Sequence, residues 1–192
     1  MNPRIINGVE AARGQAGWQV GLVRSQETRK PKAKYGFFCG GTLLNARWVM
    51  TAAHCVKDKA AADISAVIGM LDRNDVEEER VTINVARKMD HPNHNTWFYD
   101  FSLLELETAV DFGALDHAFP ACWPTRHEVP GDWVIASGWG SADPQGTWEG
   151  MPAVLQLVNM TIVDRTGVQF NGHLWFRDNL RDNFRLSSGF KL

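Results

Sequence analysis

Short apolar runs broken by turn residues constrain this chain more than any other feature. Val81-Thr82-Ile83-Asn84-Val85 alternates apolar and polar at every step, the period of a strand with one dry face and one wet face. Trp18–Val23, Phe37–Leu44, Ile64–Ile68, Ser102–Leu106, Trp133–Ala136 and Val154–Val163 read as further strands. Clusters such as His91-Pro92-Asn93 and Asp143-Pro144-Gln145-Gly146 separate them. A helical protein needs sustained 3.6-residue periodicity, and none here exceeds about two turns. The expected fold class is all-β, a sandwich or a barrel. Gly113 to Pro130 holds Pro120, Pro124 and Pro130 and little periodic pattern, so it reads as a connection between two halves. The strand pattern weakens after Asp164.

A length of 192 residues suits one ordinary domain or two small barrels sharing an interface. The net charge of −2 suggests neither a nucleic-acid partner nor a polybasic membrane surface. No apolar run approaches the roughly 18 residues that cross a bilayer. Met1-Asn2-Pro3-Arg4 lacks the apolar core of a signal peptide. The chain is therefore expected to be either not secreted or a mature or partial form. The three cysteines are Cys39, Cys55 and Cys122, an odd number, so one is unpaired or its partner lies elsewhere. Counting alone leaves open three reduced cytosolic thiols.

Chemistry concentrates in a few motifs. Cys39-Gly40-Gly41-Thr42-Leu43-Leu44 leads to Trp48-Val49-Met50-Thr51-Ala52-Ala53-His54-Cys55, which sets a histidine beside a cysteine after an apolar run. A histidine in such a place is more often structural; its company changes the odds. Asp100 opens the apolar run of Tyr99-Asp100-Phe101-Ser102-Leu103-Leu104-Glu105-Leu106. An unpaired carboxylate there is expensive to bury, so Asp100 either has a partner or faces water in a loop. Arg4-Ile5-Ile6-Asn7-Gly8-Val9 and Ser137-Gly138-Trp139-Gly140 complete the set.

Taken in order, these motifs resemble the trypsin-like (chymotrypsin-fold) serine endopeptidases, with good specificity from Arg4 to about Val163. The resemblance implies a chymotrypsin-like double β-barrel with the first barrel complete and the second partial. The peptidase domain would span 5–192: first barrel 5–115, interbarrel connection 116–130, partial second barrel 131–192. His54 would be the catalytic general base and Asp100 the residue that orients it. Cys39 and Cys55 would form a disulfide beside the histidine, closing a loop worth about 3 kcal/mol in the chain-entropy picture. Arg4-Ile5 resembles the activation cleavage site of the zymogens. Cys122 sits where a cysteine often pairs with an upstream propeptide, which would account for the odd count. Partners would be protein or peptide substrates or protease inhibitors, the location extracellular or secreted, and no cofactor or metal is expected.

The chain departs from the family at the nucleophile. No Gly-Asp-Ser-Gly-Gly-Pro run occurs in it. Ser188-Gly189 lacks the preceding Asp and the following Gly-Pro, so it is a poor substitute. Leu180–Lys191 is faintly similar to a later family strand, with Ser187 at a cysteine position and the partner position near Gly167 also lacking cysteine; an unrelated tail is the rival reading. The expectation is a serine endopeptidase by family whose chain as given does not catalyse. The alternative is a non-catalytic pseudoprotease or binding module on the same scaffold. An incomplete second barrel would also leave strand edges and apolar faces exposed.

Other candidates are weaker. Asp72, Asp75, Glu77, Glu78 and Glu79 crowd one loop, but the two positions where some family members bind calcium through glutamates fall on Met70 and Arg80, so a solvated acidic loop is expected. Asn159-Met160-Thr161 is a glycosylation sequon placed within an expected strand, which weighs against its use. His91, His94, His117, His127 and His173 form no metal-ligand grouping by spacing. The eight tryptophans are expected to serve core packing.

Overall fold

The structure, a computed structural model, describes residues 8–25, 36–75, 79–95, 98–140 and 151–163. Its strands are β1 (Val9–Glu10), β2 (Gln19–Arg24), β3 (Phe37–Asn45), β4 (Trp48–Thr51), β5 (Ile64–Ile68), β6 (Val81–Asp90), β7 (Ser102–Leu106), β8 (Trp133–Gly138) and β9 (Gln156–Thr161). A one-turn helix, α1 (Ala53–Val56), follows β4, and a 3-10 turn at Ala61–Asp63 leads into β5. Strands β2-β3-β4-β7-β6-β5 close into a six-stranded antiparallel barrel. A separate three-stranded sheet runs β1-β9-β8. The fold is thus all-β, one closed barrel plus a partial second sheet, in agreement with the chymotrypsin-like expectation.

The sequence patterns of the strands report how many of their faces are covered. In β6, Ile83 and Val85 enter the barrel core while Thr82 and Asn84 face out, as alternation demands. In β5 all five residues are buried. Ile64, Ala66 and Ile68 fill the barrel, whereas Val67 points the other way into a second apolar cluster. That cluster joins Val23 and Val67 on the outer wall of the barrel to Ala11, Trp139, Leu155 and Leu157 around the second sheet. Strands β2 and β5 are therefore dry on both sides for most of their length, which is why neither shows a clean apolar–polar alternation. The inner core comprises Val20, Leu22, Leu43, Val49, Leu104 and Leu106, each 0% exposed.

Polar bonds tie the sheet to the barrel. Ser137 Oγ donates to Gln19 Oε1 (2.6 Å), and Trp139 Nε1–H donates to Leu71 O (3.0 Å). Strand β1 comes from the start of the chain yet pairs with β9, Val9 opposite Leu157. The sheet thus draws on residues outside the expected range 131–192. The expectation for the tryptophans holds only in part: Trp139 is 1% exposed, while Trp123 and Trp133 are 50% and 75% exposed.

Candidate active site

Barrel register brings the candidate histidine and aspartate together. Strands β4 and β7 pair so that Thr51 lies opposite Ser102. Three residues past Thr51 is His54, and two residues before Ser102 is Asp100. Both therefore emerge at the same end of one strand pair, although 46 positions separate them.

Each residue is held by its own local device. His54 lies on α1, whose carbonyls at its C-terminal end accept hydrogen bonds from Lys88 Nζ: Val56 O at 2.8 Å and Lys57 O at 3.3 Å. A cation there also complements the helix dipole. Cys55 is disulfide-bonded to Cys39 of β3, with Cα atoms 6.2 Å apart, which pins α1 to the neighbouring strand. Thr51 Oγ1 donates to Gly40 O at 2.7 Å, and a Cβ on Gly41 would come within 2.7 Å of Val49 Cγ1. This explains Gly41, where β3 and β4 approach too closely for a side chain; a Cβ on Gly40 would instead lie 3.1 Å from Gln19 Nε2 of β2.

Asp100 sits in a short turn in which Phe101 N–H donates to Tyr99 O at 2.8 Å. Tyr99 has φ 57°, a left-handed conformation uncommon for a non-glycine residue. Its ring is stacked on His91 with centroids 4.6 Å apart, and His91 also contacts the ring of Phe101. That packing offsets the backbone strain and fixes the direction in which Asp100 leaves the chain. At the base of the loop, His91 N–H donates to Phe101 O at 3.2 Å.

Asp100 takes two hydrogen bonds from His54. The ring Nδ1–H donates to Oδ2 (2.6 Å), and the backbone N–H donates to Oδ1 (2.8 Å). Partial burial alone would raise the pKa of Asp100. The side-chain and backbone bonds from His54, then the electrostatic influence of the His54 and His94 rings, outweigh it and hold the carboxyl below its usual value. An ionised carboxylate only accepts, so Nδ1 carries a proton, and in the neutral ring Nε2 holds the lone pair. The His54 side chain is 60% exposed, and Nε2 lies 3.6 Å from the Cys55 sulfur of the disulfide. The geometry suits general-base catalysis with a fixed tautomer.

Ligand atoms of Cys39, His54 and Cys55 lie within 4.8 Å of one another. The two sulfurs are joined to each other, so neither is the thiolate that a metal needs. Cys122 is a free, exposed cysteine. Met70 is buried and Arg80 is not, so one of the two positions considered for calcium is an apolar core residue. Arg4, Ile5, Glu77, Glu78, Ser187 and Ser188 lie outside the described residues. His94 is the site residue that sequence reading missed: its Nδ1 lies 3.9 Å from Asp100 Oδ1. Its only sequence signal is its place six positions before Asp100 on the same loop.

Among the described residues, no helix is long and apolar enough to cross a membrane. The Trypsin family model matches residues 5–184. The match runs beyond Val163, which favours family sequence over an unrelated tail as far as residue 184. The chain is 36% identical over 169 residues to serine proteinase stubble of Drosophila melanogaster, covering 83% of this chain and 20% of that protein. It is 33% identical over 167 residues to transmembrane protease serine 9 of Rattus norvegicus, covering 84% and 14%. It is 31% identical over 166 residues to ovochymase-2 of Mus musculus, covering 83% and 25%. The chain thus spans a quarter or less of the length of these relatives. With His54 and Asp100 brought together at one end of a closed barrel and a family match over residues 5–184, this chain belongs to the trypsin family of serine proteases.

Proposed function

We propose that His54 and Asp100 are the base and orienting residue of a serine endopeptidase site, and that the 192 residues by themselves do not hydrolyse peptide bonds. The observation that carries this reading is the 2.6 Å bond from His54 Nδ1 to Asp100, which makes Nε2 the acceptor of the neutral ring. In peptide hydrolysis such a nitrogen takes the proton of the attacking hydroxyl and returns it to the leaving amine. The carboxylate keeps the tautomer and stabilises the imidazolium, without itself being protonated.

A base without a nucleophile does little. The Gly-Asp-Ser-Gly-Gly-Pro run is absent from these residues. Loss of the nucleophile in a serine protease costs about six orders of magnitude in kcat. The second reading is a non-catalytic pseudoprotease or binding module that still engages protein or peptide ligands or protease inhibitors.

Related proposals rest on the same family reading. Cleavage at Arg4-Ile5 activates the full protein. The divisions 5–115, 116–130 and 131–192 are its first barrel, the connection and a partial second barrel, with β1 crossing over to pair in the second sheet. Cys122, whose thiol is exposed, pairs with a cysteine of an upstream propeptide. The disulfide at Cys39–Cys55 supports an extracellular or secreted location, since such bonds persist in oxidising compartments.

A serine-directed phosphonate probe tests the main proposal. The purified chain should show no covalent labelling above the His54→Ala background. Labelling that disappears in His54→Ala would show a working nucleophile and overturn it. Sequencing the transcript past Leu192 separates the two readings. An in-frame Gly-Asp-Ser-Gly-Gly-Pro favours the protease, and a stop codon there favours the binding module.

A further inference from the structure

The loop that carries Asp100 also carries His94, a residue with no part in the reading above. Its side chain is 15% exposed. Its Nδ1 is shielded from water and has no hydrogen-bond partner. A buried polar nitrogen left unmatched costs free energy, so a nearby acceptor matters. The acceptor within reach is Asp100 Oδ1 at 3.9 Å, too far for a hydrogen bond and close enough for an ion pair whenever the His94 ring is protonated.

Asp100 has room for this second imidazole. Oδ1 accepts the His54 backbone N–H and Oδ2 accepts the His54 ring. A carboxylate offers about four lone-pair sites, so Oδ1 retains capacity for another donor. The His94 backbone is placed by its own N–H, which donates to His91 O at 2.9 Å. The same loop is anchored by the stacking of His91 on Tyr99.

Resting on the assignment of His54 and Asp100 as base and orienter, we propose that His94 is a positioning residue that holds Asp100 through Oδ1 and keeps the carboxylate ionised and aimed at His54. One carboxylate then serves two imidazoles, one turned to solvent and one buried behind it. The ionisable groups that interact in this cluster are His54 on α1 and His91, His94 and Asp100 on the loop. Burial first, then the charge of His94, lowers the pKa of His91, so the neighbouring histidine is disfavoured as a competing cation. The positive charge of His94 contributes in the same direction as His54 at Asp100.

The test follows two signals through a pH titration of the whole chain: the carboxyl carbon resonance of Asp100, and the low-field proton of His54 Nδ1–H. Parent protein is compared with His94→Phe, His94→Gln and His94→Arg. In His94→Phe, which keeps a ring of similar size, the Asp100 midpoint should move up and the low-field proton should broaden through exchange. In His94→Arg, which restores a cation, the midpoint should return to or fall below that of the parent. His94→Gln should lie between them. A role in packing alone would follow shape, with Arg the most disturbed of the three. A midpoint indifferent to Phe and Arg alike overturns the proposal while leaving the His54–Asp100 pair intact. Absence of the low-field proton in the parent sinks the pair itself instead. If His94→Phe fails to fold, the order of Gln and Arg decides: Arg below Gln supports the proposal, and equality refutes it.

Discussion

In the barrel, Leu22, Leu43, Val49, Leu104 and Leu106 are sealed from water, whereas in the three-stranded sheet Trp133 is 75% exposed and Ile135 53%. Both regions are built from strands of similar apolar content. The difference lies in closure. Every barrel strand is hydrogen-bonded on both sides, so its inward residues face a space that other side chains must fill. In the sheet, β8 pairs with β9 alone among the described residues. Burial there follows distance from the barrel. At the near end, Trp139 and Leu157 lie against the outer wall formed by Val23 and Val67. At the far end, Val134 opposite Met160 is 37% exposed and Met160 47%. An apolar side chain is dry only where a second surface covers it, and strand pattern alone does not supply that surface.

The largest test of this contrast is at the seam. Trp139→Ala should destabilise the protein by about 3–5 kcal/mol, the range for truncating a buried aromatic. A urea titration followed by far-UV circular dichroism would show it. An unmoved barrel transition would mean that the sheet folds independently, which breaks the comparison as drawn. Next in size is the double change Cys39→Ser with Cys55→Ser, expected to cost about 3 kcal/mol through the loop that the bridge closes. Thiol counting on the oxidised parent should find Cys122 reactive and Cys39 and Cys55 silent until reductant is added.

A smaller effect is expected from Ser137→Ala, about 1 kcal/mol, since it removes a donor from the mostly buried Gln19. Ile135→Ala, on the same strand but half exposed, should change stability by less than about 0.5 kcal/mol. Equal costs for the two would erase the gradient along β8.

The subtlest prediction concerns acid. The pKa of Asp100 is lower in the folded protein than the roughly 3.9 of a free aspartate. The group therefore stabilises the fold above that value, and the contribution is lost as pH falls through the folded pKa. Asp100→Asn should remove this part of the acid dependence, so that stability falls less steeply below about pH 4 than in the parent. Acid titrations monitored by tryptophan fluorescence would compare the slopes. Identical slopes would show that the pairing with His54 contributes nothing to the fold.

Much of the barrel was legible in sequence. The runs at Trp18–Val23, Phe37–Leu44, Ile64–Ile68 and Ser102–Leu106 correspond to β2, β3, β5 and β7 within a residue at either end. Trp133–Ala136 and Val154–Val163 likewise fall on β8 and β9, with ends up to two residues off, whereas β6 beyond Val85, β4 and β1 were obscured for identifiable reasons. Strand β6 continues to Asp90, past the end of its alternation at Val85, because a register shift between Val85 and Arg87 interrupts the period. Beyond the shift, Arg87 bonds Glu105 at 2.9 Å and Lys88 pairs with Asp90 at 3.0 Å, so the strand is polar yet ordered. Strand β4 is only four residues long, too short to show a period, and β1 is a two-residue pairing that depends wholly on β9.

At the candidate site the boundary is similar. Motif order in the sequence singled out His54, Asp100 and the cysteines of the bridge, and with them the family. Local pattern also determined which face of β6 is dry as far as Val85, because a two-residue period is a property of neighbours along the chain. Only the tertiary structure decided which distant groups meet. Pairing Thr51 with Ser102 carries His54 to Asp100, and the turn around His91 and Tyr99 brings His94 in behind the same carboxylate. Such contacts depend on register and on loop closure across the barrel, and no repeat along the chain encodes either.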